Sequence, residues 1–316
     1  MSATEAPPLT QPARPGRPDR AARLALATVM LGAFMCLLDT TIVNVALPGM
    51  QHALHASDDA LEWVVSGYAL AFGIVLIPAG RLGDAIGRKP LYIAGLLAFL
   101  AASLGAGLAQ GPAELVVARI IQGLAAGVYY TQINATIVDV FAPRDRSKAF
   151  GVLAAVIGLS TAIGPLAGGL LIAAGGSHAG WRLIFLVNLA IGLIAVPAAM
   201  RWLPSGTRGQ HQQADLPGIA LLTACLLAIL VPLVEGRGLG WPAWTWASFA
   251  VAVPLAAALW RWERHAEASG RTPLIPPRVV RRRPFPFCAS VAQCVVLRLR
   301  LGRHAGPCIA GSAPAR

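Results

Sequence analysis

Long apolar stretches separated by short polar segments dominate the sequence from residue 24 onward. Each stretch is nearly continuous over about 20 residues, whereas an amphipathic helix of a soluble protein alternates its faces within every turn. A helix of about that length crosses the roughly 30 Å hydrocarbon layer of a bilayer. The pattern therefore predicts eight transmembrane helices at residues 24–46, 61–79, 91–110, 113–134, 149–173, 183–203, 216–235 and 243–262.

Changes in composition along the chain divide it into segments. Residues 1–23 are rich in proline and arginine and contain no small-residue cleavage site, so we predict a disordered cytoplasmic arm there. We expect six spans over residues 24–203, a cytoplasmic loop at 204–215 and two additional spans over 216–262. A basic cytoplasmic tail at 263–316 completes the predicted organisation.

The end of the tail departs from the pattern of the rest. A ninth span is expected after residue 283, but Arg298 and Arg300 interrupt the one apolar stretch in this segment. We interpret residues 284–316 as a truncated or out-of-frame end. A natural basic cytoplasmic tail is the alternative.

Composition and charge exclude several classes of protein. Hydrophobic residues make up 56% of the chain and charged residues only 13%, compared with roughly a quarter in an average soluble domain. The net charge of +12 does not indicate a nucleic-acid partner, because the 26 lysines and arginines do not form one patch. They concentrate in every second polar segment, which predicts a multi-pass membrane protein with a cytoplasmic N-terminus. We expect it to lie in a bacterial inner membrane.

No catalytic or metal site emerges from the sequence. The five cysteines have neither metal-ligand spacing nor the arrangement of a disulfide framework. We find no nucleophile with a neighbouring base and no phosphate-binding loop, so we expect neither an enzyme nor a bound cofactor.

Asp39 is the first candidate functional residue, because an ionisable group within a span is costly and therefore marks function. It lies at the edge of a polar arc that also contains Thr40, Thr41 and Asn44. Apolar surroundings favour the neutral acid, so the carboxyl could take up and release a proton near neutral pH. The alternative is a structural hydrogen bond to a neighbouring helix.

Arg119 is the second intramembrane charge. Together with Gln122, Gly123 and Ala126 it forms a stripe of polar and small residues on one face of the fourth predicted span. Since a guanidinium group remains charged, Arg119 would bias a nearby acid or bind an anion, and Gln122 would supply hydrogen bonds. A purely structural ion pair is the alternative.

Two glycine-rich segments predict close helix packing and a tight turn. In the fifth span, Ser160, Gly164 and Gly168 recur every four residues and predict close approach of another helix. Pro165 removes one backbone hydrogen bond and is expected to bend this helix.

The second segment, GRLGDAIGRKPL, separates the second and third predicted spans. Its glycines permit a tight reversal, and Asp84 and Arg88 can pair across one helical turn. A simple positively charged turn is the alternative.

These motifs together resemble the major facilitator superfamily, and within it the fourteen-span drug:proton antiporters. The resemblance rests on LDTTIVNVALP, GRLGDAIGRKPL, ARIIQGLAAG and GPLAGG in this order, with further family-like segments such as WRLIFLVNLAIG. It implies an all-α integral membrane fold: the family's N-terminal six-helix bundle plus two additional transmembrane helices, without the C-terminal half. Ser160 and Ala85 depart from the family pattern, which often has glycine at the first position and a basic residue at the second.

The resemblance also implies roles for individual residues. The proton or substrate pathway would contain Asp39, Asn44, Arg119 and Gln122. The conformational latch would contain Gly80, Asp84, Gly87 and Arg88. The antiporter motif would contain Gly164, Pro165, Gly168 and Gly169.

The implied function is export of lipophilic, often cationic small molecules, driven by the proton gradient and without a cofactor. The bilayer and a small-molecule substrate are the expected partners, and the oligomeric state is open. One alternative is export of a specific metabolite such as an antibiotic intermediate. The other is a truncated membrane fragment that does not transport.

Overall fold

A computed structural model of the protein describes residues 20–205 and 215–268. Most of the predicted arm, most of the predicted loop and the tail beyond residue 268 lie outside the described residues. Within the described ranges all regular elements are α-helices: α1 Arg20–Leu54, α2 Asp58–Ile86, α3 Arg88–Leu108, α4 Pro112–Val140, α5 Pro143–Gly176, α6 Ala179–Trp202, α7 Leu216–Gly238 and α8 Ala243–Ala268.

Local sequence signals explain where several helices begin and end. Ser57 caps α2 by accepting a hydrogen bond from the backbone N–H of Ala60, and proline occupies the first position of both α4 and α5. Between α5 and α6 the helical backbone breaks at Gly176, which has φ 73° and ψ 177°. Glycine adopts this conformation without a Cβ clash, so the chain can turn sharply between the fifth and sixth helices.

By length and composition, seven of the described helices could cross a membrane: α1, α2, α3, α5, α6, α7 and α8. The fourth predicted span, residues 113–134, is the difference from the expected eight. At 29 residues α4 is long enough for a span, but Arg119, Gln122 and Gln132 lower its hydropathy. All three side chains are buried, so α4 directs its polar groups at other helices.

The helices separate into two compact units. The first contains α1 to α6 together with Leu230–Pro242, and the second contains Asp215–Ile229 together with α8. Large buried side chains fill the interior of the first unit. Tyr129 lies at its centre and makes edge-to-face contacts with Tyr92 and Phe99, and a second buried cluster surrounds Trp181 and Phe185.

In the second unit, Asp215 joins the start of α7 to the end of α8. Its carboxylate accepts a hydrogen bond from the indole N–H of Trp262 at 3.0 Å and another from the backbone N–H of Gly218 at 3.1 Å. Exposed tryptophans lie near both ends of α8, Trp246 near the start and Trp260 near the end. Tryptophan is enriched at the two interfaces of a bilayer, so their placement suits a membrane-spanning helix.

Candidate functional site: a buried polar cluster in the six-helix unit

An ion pair between α1 and α4 lies in the interior of the first unit. Arg119 Nη1 is 2.6 Å from Asp39 Oδ2, and the two side chains are 2% and 0% exposed. Removing both charges from water costs several kcal/mol per ion, and this cost is recovered only where further hydrogen bonds satisfy the pair. The surroundings of Asp39 and Arg119 supply such bonds.

Three neutral side chains complete the site, which we call the buried polar cluster: Asp39, Ser103, Arg119, Gln122 and Asn188. Asp39 Oδ1 accepts hydrogen bonds from Gln122 Nε2 at 2.9 Å and Asn188 Nδ2 at 2.7 Å. Ser103 Oγ accepts from the same two amides, at 2.6 and 3.1 Å. The cluster thereby connects α1, α3, α4 and α6.

Arg119 makes further contacts that hold its guanidinium in place. Its Nη1 donates to Gln122 Oε1 at 2.7 Å, and its Nε donates to the backbone carbonyl of Val64 on α2 at 3.0 Å. The guanidinium carbon also lies 4.1 Å from the ring centroid of Tyr68, a favourable cation–π arrangement. Arg119 therefore contacts α2 as well as the carboxylate on α1.

Small residues on α4 allow these contacts. A Cβ at Gly123 would collide with the carbonyl oxygen of Tyr68, and one at Gly127 would lie 2.8 Å from the carbonyl oxygen of Phe72. The backbones of α2 and α4 therefore approach closely along this face. That approach brings the Val64 carbonyl within reach of Arg119, which lies one turn before Gly123.

Asn44 does not join the cluster, although the sequence places it in the same pathway. It is exposed, and its amide donates to the Thr40 carbonyl of its own helix at 3.1 Å. Asn44 lies five positions after Asp39 in the helix, which corresponds to a rotation of about 140°. The polar arc expected on α1 thus divides into a buried carboxylate and an exposed hydroxyl and amide face.

Sequence reasoning missed Ser103 and Asn188. Asn188 left a signal, because it is an amide within the apolar sixth span and belongs to the segment WRLIFLVNLAIG. Nothing in the sequence singles out Ser103, since an isolated serine in a membrane helix usually forms a hydrogen bond with the backbone of its own helix.

Two of the three antiporter-motif glycines, Gly164 and Gly168, face α1. A Cβ at Gly164 would collide with Thr41 Oγ1, and one at Gly168 would lie 3.0 Å from Ile42 Cγ1. Pro165 and Gly169 are exposed, and a Cβ at Gly169 would meet no heavy atom within 4 Å. Gly164 and Gly168 therefore form the α5 side of a close helix contact, whereas Pro165 and Gly169 lie away from it.

The latch residues lie in the C-terminal part of α2 and at its junction with α3, where Gly87 separates the two helices. Arg88 pairs with Asp84 at 3.2 Å, forms a second ion pair with Asp139 on α4 and donates to the Ala135 carbonyl at 2.6 Å. Gly87 has φ 108°, a backbone conformation that side-chain-bearing residues rarely adopt. Asp139 and Ala135 were not expected from the sequence.

Gly80 and Gly83 were expected in the turn but lie within α2, because this helix continues to Ile86, and both face α4. A Cβ at Gly80 would lie 3.4 Å from Thr131 Cγ2, and one at Gly83 would collide with the Gln132 side chain. A cavity of about 850 Å³ opens beside the turn; its lining includes Asp84, Arg88, Lys89, Asp139 and Arg201. Within the described residues, no group of three or more His, Cys, Asp and Glu side chains could hold a metal ion.

The family model described as Major Facilitator Superfamily matches residues 29–299 of this sequence. The chain belongs to the Major Facilitator Superfamily. Among curated members, a probable actinorhodin transporter of Streptomyces coelicolor is 36% identical over 278 residues, which cover 88% of this chain and 48% of the relative. The tetracenomycin C resistance and export protein of Streptomyces glaucescens is 33% identical, covering 82% of this chain and 47% of the relative.

Solved structures support the superfamily fold. The human organic anion transporter MFSD10 aligns with a TM-score of 0.53 at 18% identity, covering 66% of this chain and 55% of that protein. A peptide transporter aligns with the same TM-score at 15% identity, covering 66% of this chain and 50% of that protein. The chain is thus an all-helical, multi-pass membrane protein of a transporter family, and it spans about half the length of the curated relatives it matches.

Proposed function

We propose that this chain is part of a secondary transporter that exports small molecules from the bacterial cytoplasm in exchange for protons. The observation that carries the proposal is the ion pair of Asp39 and Arg119, which is buried among transmembrane helices. Charged groups at membrane depth are rare and typically belong to ion or proton pathways. Asp39 is the acid that would carry the proton, and Arg119 is its counter-ion.

Proton uptake would change the contact between α1 and α4. The ionised carboxylate holds Arg119 at 2.6 Å, whereas a neutral carboxyl attracts the cation much less. Protonation of Asp39 therefore weakens one connection between these helices and favours arrangements in which they are further apart. A proton shifts a conformational equilibrium only through such a difference in interaction free energy between states.

The glycine contact between α5 and α1 would allow that movement. Gly164 and Gly168 present backbone to Thr41 and Ile42, so few side chains interlock across this contact. At the turn between α2 and α3, the ion pairs of Arg88 would stabilise one of the two arrangements. Partly exposed pairs of this kind contribute little each, so they can break and re-form during a transport cycle.

The proposed substrates are lipophilic and often cationic compounds. Two relatives are named for the compounds they export or confer resistance to, actinorhodin and tetracenomycin C. These names also favour the second candidate, an exporter of one specific metabolite. The exposed face of Thr40 and Asn44 on α1 offers hydrogen bonds to either kind of substrate.

The proposal is tested by reconstituting the full chain in lipid vesicles with an imposed pH gradient. Transport of a lipophilic cationic dye is measured for the unmodified chain and for Asp39→Asn. Asp145→Asn is the matched control, since Asp145 also pairs with a basic residue, Lys148, but at 3.3 Å and near the surface.

We expect gradient-dependent transport by the unmodified chain and by Asp145→Asn, and its loss in Asp39→Asn. Full transport by Asp39→Asn would show that Asp39 is not the proton carrier. No transport by the unmodified chain would favour the alternative of a membrane fragment that requires the remainder of a longer transporter.

A further inference from the structure

Protonation of Asp39 would require a hydrogen-bond acceptor for the new O–H group, which the proposed function does not identify. The two oxygens of Asp39 accept from three donors, which are Arg119 Nη1, Gln122 Nε2 and Asn188 Nδ2. An ionised carboxylate only accepts hydrogen bonds, so this arrangement fits the charged form. A protonated carboxyl carries an O–H group, and a buried O–H requires an acceptor.

Most of the cluster cannot supply that acceptor. A guanidinium group has no acceptor atom. Gln122 Oε1 accepts from Arg119 at 2.7 Å, and turning it toward Asp39 would place the amide NH2 group against the guanidinium, which also only donates. Ser103 Oγ accepts from both amides, at 2.6 and 3.1 Å. Asn188 differs: its oxygen Oδ1 is buried and accepts no hydrogen bond from any described residue.

We propose that Asn188 is a positioning residue that senses the proton on Asp39 by rotating its side-chain amide through half a turn. The inference rests on the proposed proton uptake by Asp39. In the ionised state Nδ2 donates to Asp39 Oδ1 at 2.7 Å. After rotation the oxygen of Asn188 takes the place of Nδ2 and accepts the O–H of the neutral carboxyl.

The chemistry of the neighbours permits this rotation. The terminal torsion of asparagine is broad and roughly two-fold, so both orientations fit the same space. Ser103 accepts from the amide in the described orientation, and its hydroxyl hydrogen can donate to the amide oxygen in the other. In the described orientation Oδ1 has no partner, so rotation breaks only the two hydrogen bonds of Nδ2, and with a neutral Asp39 both are replaced by bonds to the amide oxygen.

No other ionisable group around Asp39 in the described structure needs to take part. The titratable side chains that face it are Arg119 on α4, Tyr68 on α2 and Cys36 on α1. The Sγ atom of Cys36 lies 3.5 Å from the hydroxyl oxygen of Tyr68, within hydrogen-bond distance. Both side chains are uncharged near neutral pH. The neighbours from α3 and α6, Ser103 and Asn188, do not titrate.

The small number of asparagines in the chain allows a direct test by NMR. It contains only three asparagines, Asn44, Asn134 and Asn188, and the first and second are exposed. Labelling asparagine side-chain nitrogen with ¹⁵N and aspartate carboxyl carbon with ¹³C, in the full chain in lipid vesicles, permits solid-state NMR on this pair. The measured quantities are the carboxyl chemical shift of Asp39 and its dipolar coupling to the Asn188 nitrogen, each as a function of pH.

The carboxyl signal is assigned by its loss in Asp39→Asn. The Asn188 signal is assigned by its loss in Asn188→Leu, which matches the shape of asparagine. If Asn188→Leu does not fold, substitution of each exposed asparagine in turn leaves Asn188 by elimination. Gln51→Leu is the control, because Gln51 also donates to a carboxylate, Asp58, at 2.7 Å, but on the exposed surface.

We expect the coupling to weaken as Asp39 is protonated, with the same pH midpoint as the carboxyl shift, in both the unmodified chain and Gln51→Leu. A carboxyl that titrates while the coupling stays constant overturns the inference and leaves the proposed proton role intact. A carboxyl signal that does not titrate refutes that proton role, and the inference with it. The two failures are therefore distinguishable.

Discussion

Removing both charges of the buried pair should cost less than the sum of the costs of removing each one alone. We consider Asp39→Leu, Arg119→Met and the double variant, which replace the charged groups by apolar side chains of comparable size. Each single change leaves a buried, unpaired charge, because the two side chains are only 0% and 2% exposed. Breaking one partner of a buried pair costs about 3–5 kcal/mol, so independent effects would sum to about 6–10 kcal/mol.

The double variant leaves no buried charge, but the amides of Gln122 and Asn188 lose their carboxylate acceptor. An unsatisfied buried polar group costs about 1–3 kcal/mol, so we expect the double variant to lose about 2–6 kcal/mol in total. The free energies of unfolding should therefore be non-additive by about 4 kcal/mol.

The assay is reversible denaturant unfolding in detergent micelles, followed by helical circular dichroism, with the free energy of unfolding compared across the four proteins. A double-mutant cycle of this kind isolates the interaction between two contacting residues. If the two single losses simply add, the pair contributes no mutual stabilisation. The cluster would then not act as one unit, and the physical basis of the proposed proton switch would be refuted.

Three further substitutions test the helix contacts and the turn. Gly164→Val should lower the thermal midpoint of unfolding through a loss of about 1–3 kcal/mol, because its side chain would overlap α1, whereas Gly169→Val meets open space and should change the midpoint little. Arg88→Ala removes two partly exposed ion pairs, so it should lower the free energy of unfolding by about 1 kcal/mol and speed proteolysis of the turn. Lys148→Ala, which removes one exposed ion pair, is the control. Equal losses of unfolding free energy in the two variants would contradict the structure. Gly87→Ala forces a side chain into φ 108° and should cost about 1–3 kcal/mol in denaturant unfolding, so an unchanged midpoint would argue against this backbone conformation.

Most of the fold was accessible from the sequence because membrane insertion depends on local composition. A stretch of about 20 apolar residues is long enough to cross the bilayer wherever it lies in the chain, so the order and type of the helices follow from hydropathy alone. One predicted span is an exception to this agreement. The segment 113–134 was predicted as a span, and α4 is long enough for one, but the polar residues that contact other helices lower its hydropathy.

The sequence by itself also determined which residues were costly enough to require an explanation. Asp39 and Arg119 stood out because a charge within an apolar run is unfavourable without a partner. The sequence could not show that the two residues pair across α1 and α4, because they lie 80 positions apart and periodicity relates only residues within one helix.

Only the tertiary structure decided the composition of the cluster. Asn188 lies 149 residues from Asp39 in the chain and Ser103 lies on a different helix again, yet packing brings their polar atoms into one hydrogen-bonded group. The same packing exposes Asn44, because a helix that buries Asp39 must turn a residue five positions later to another side. Hydropathy can place each helix in the membrane, but the faces that meet depend on how all six helices pack together.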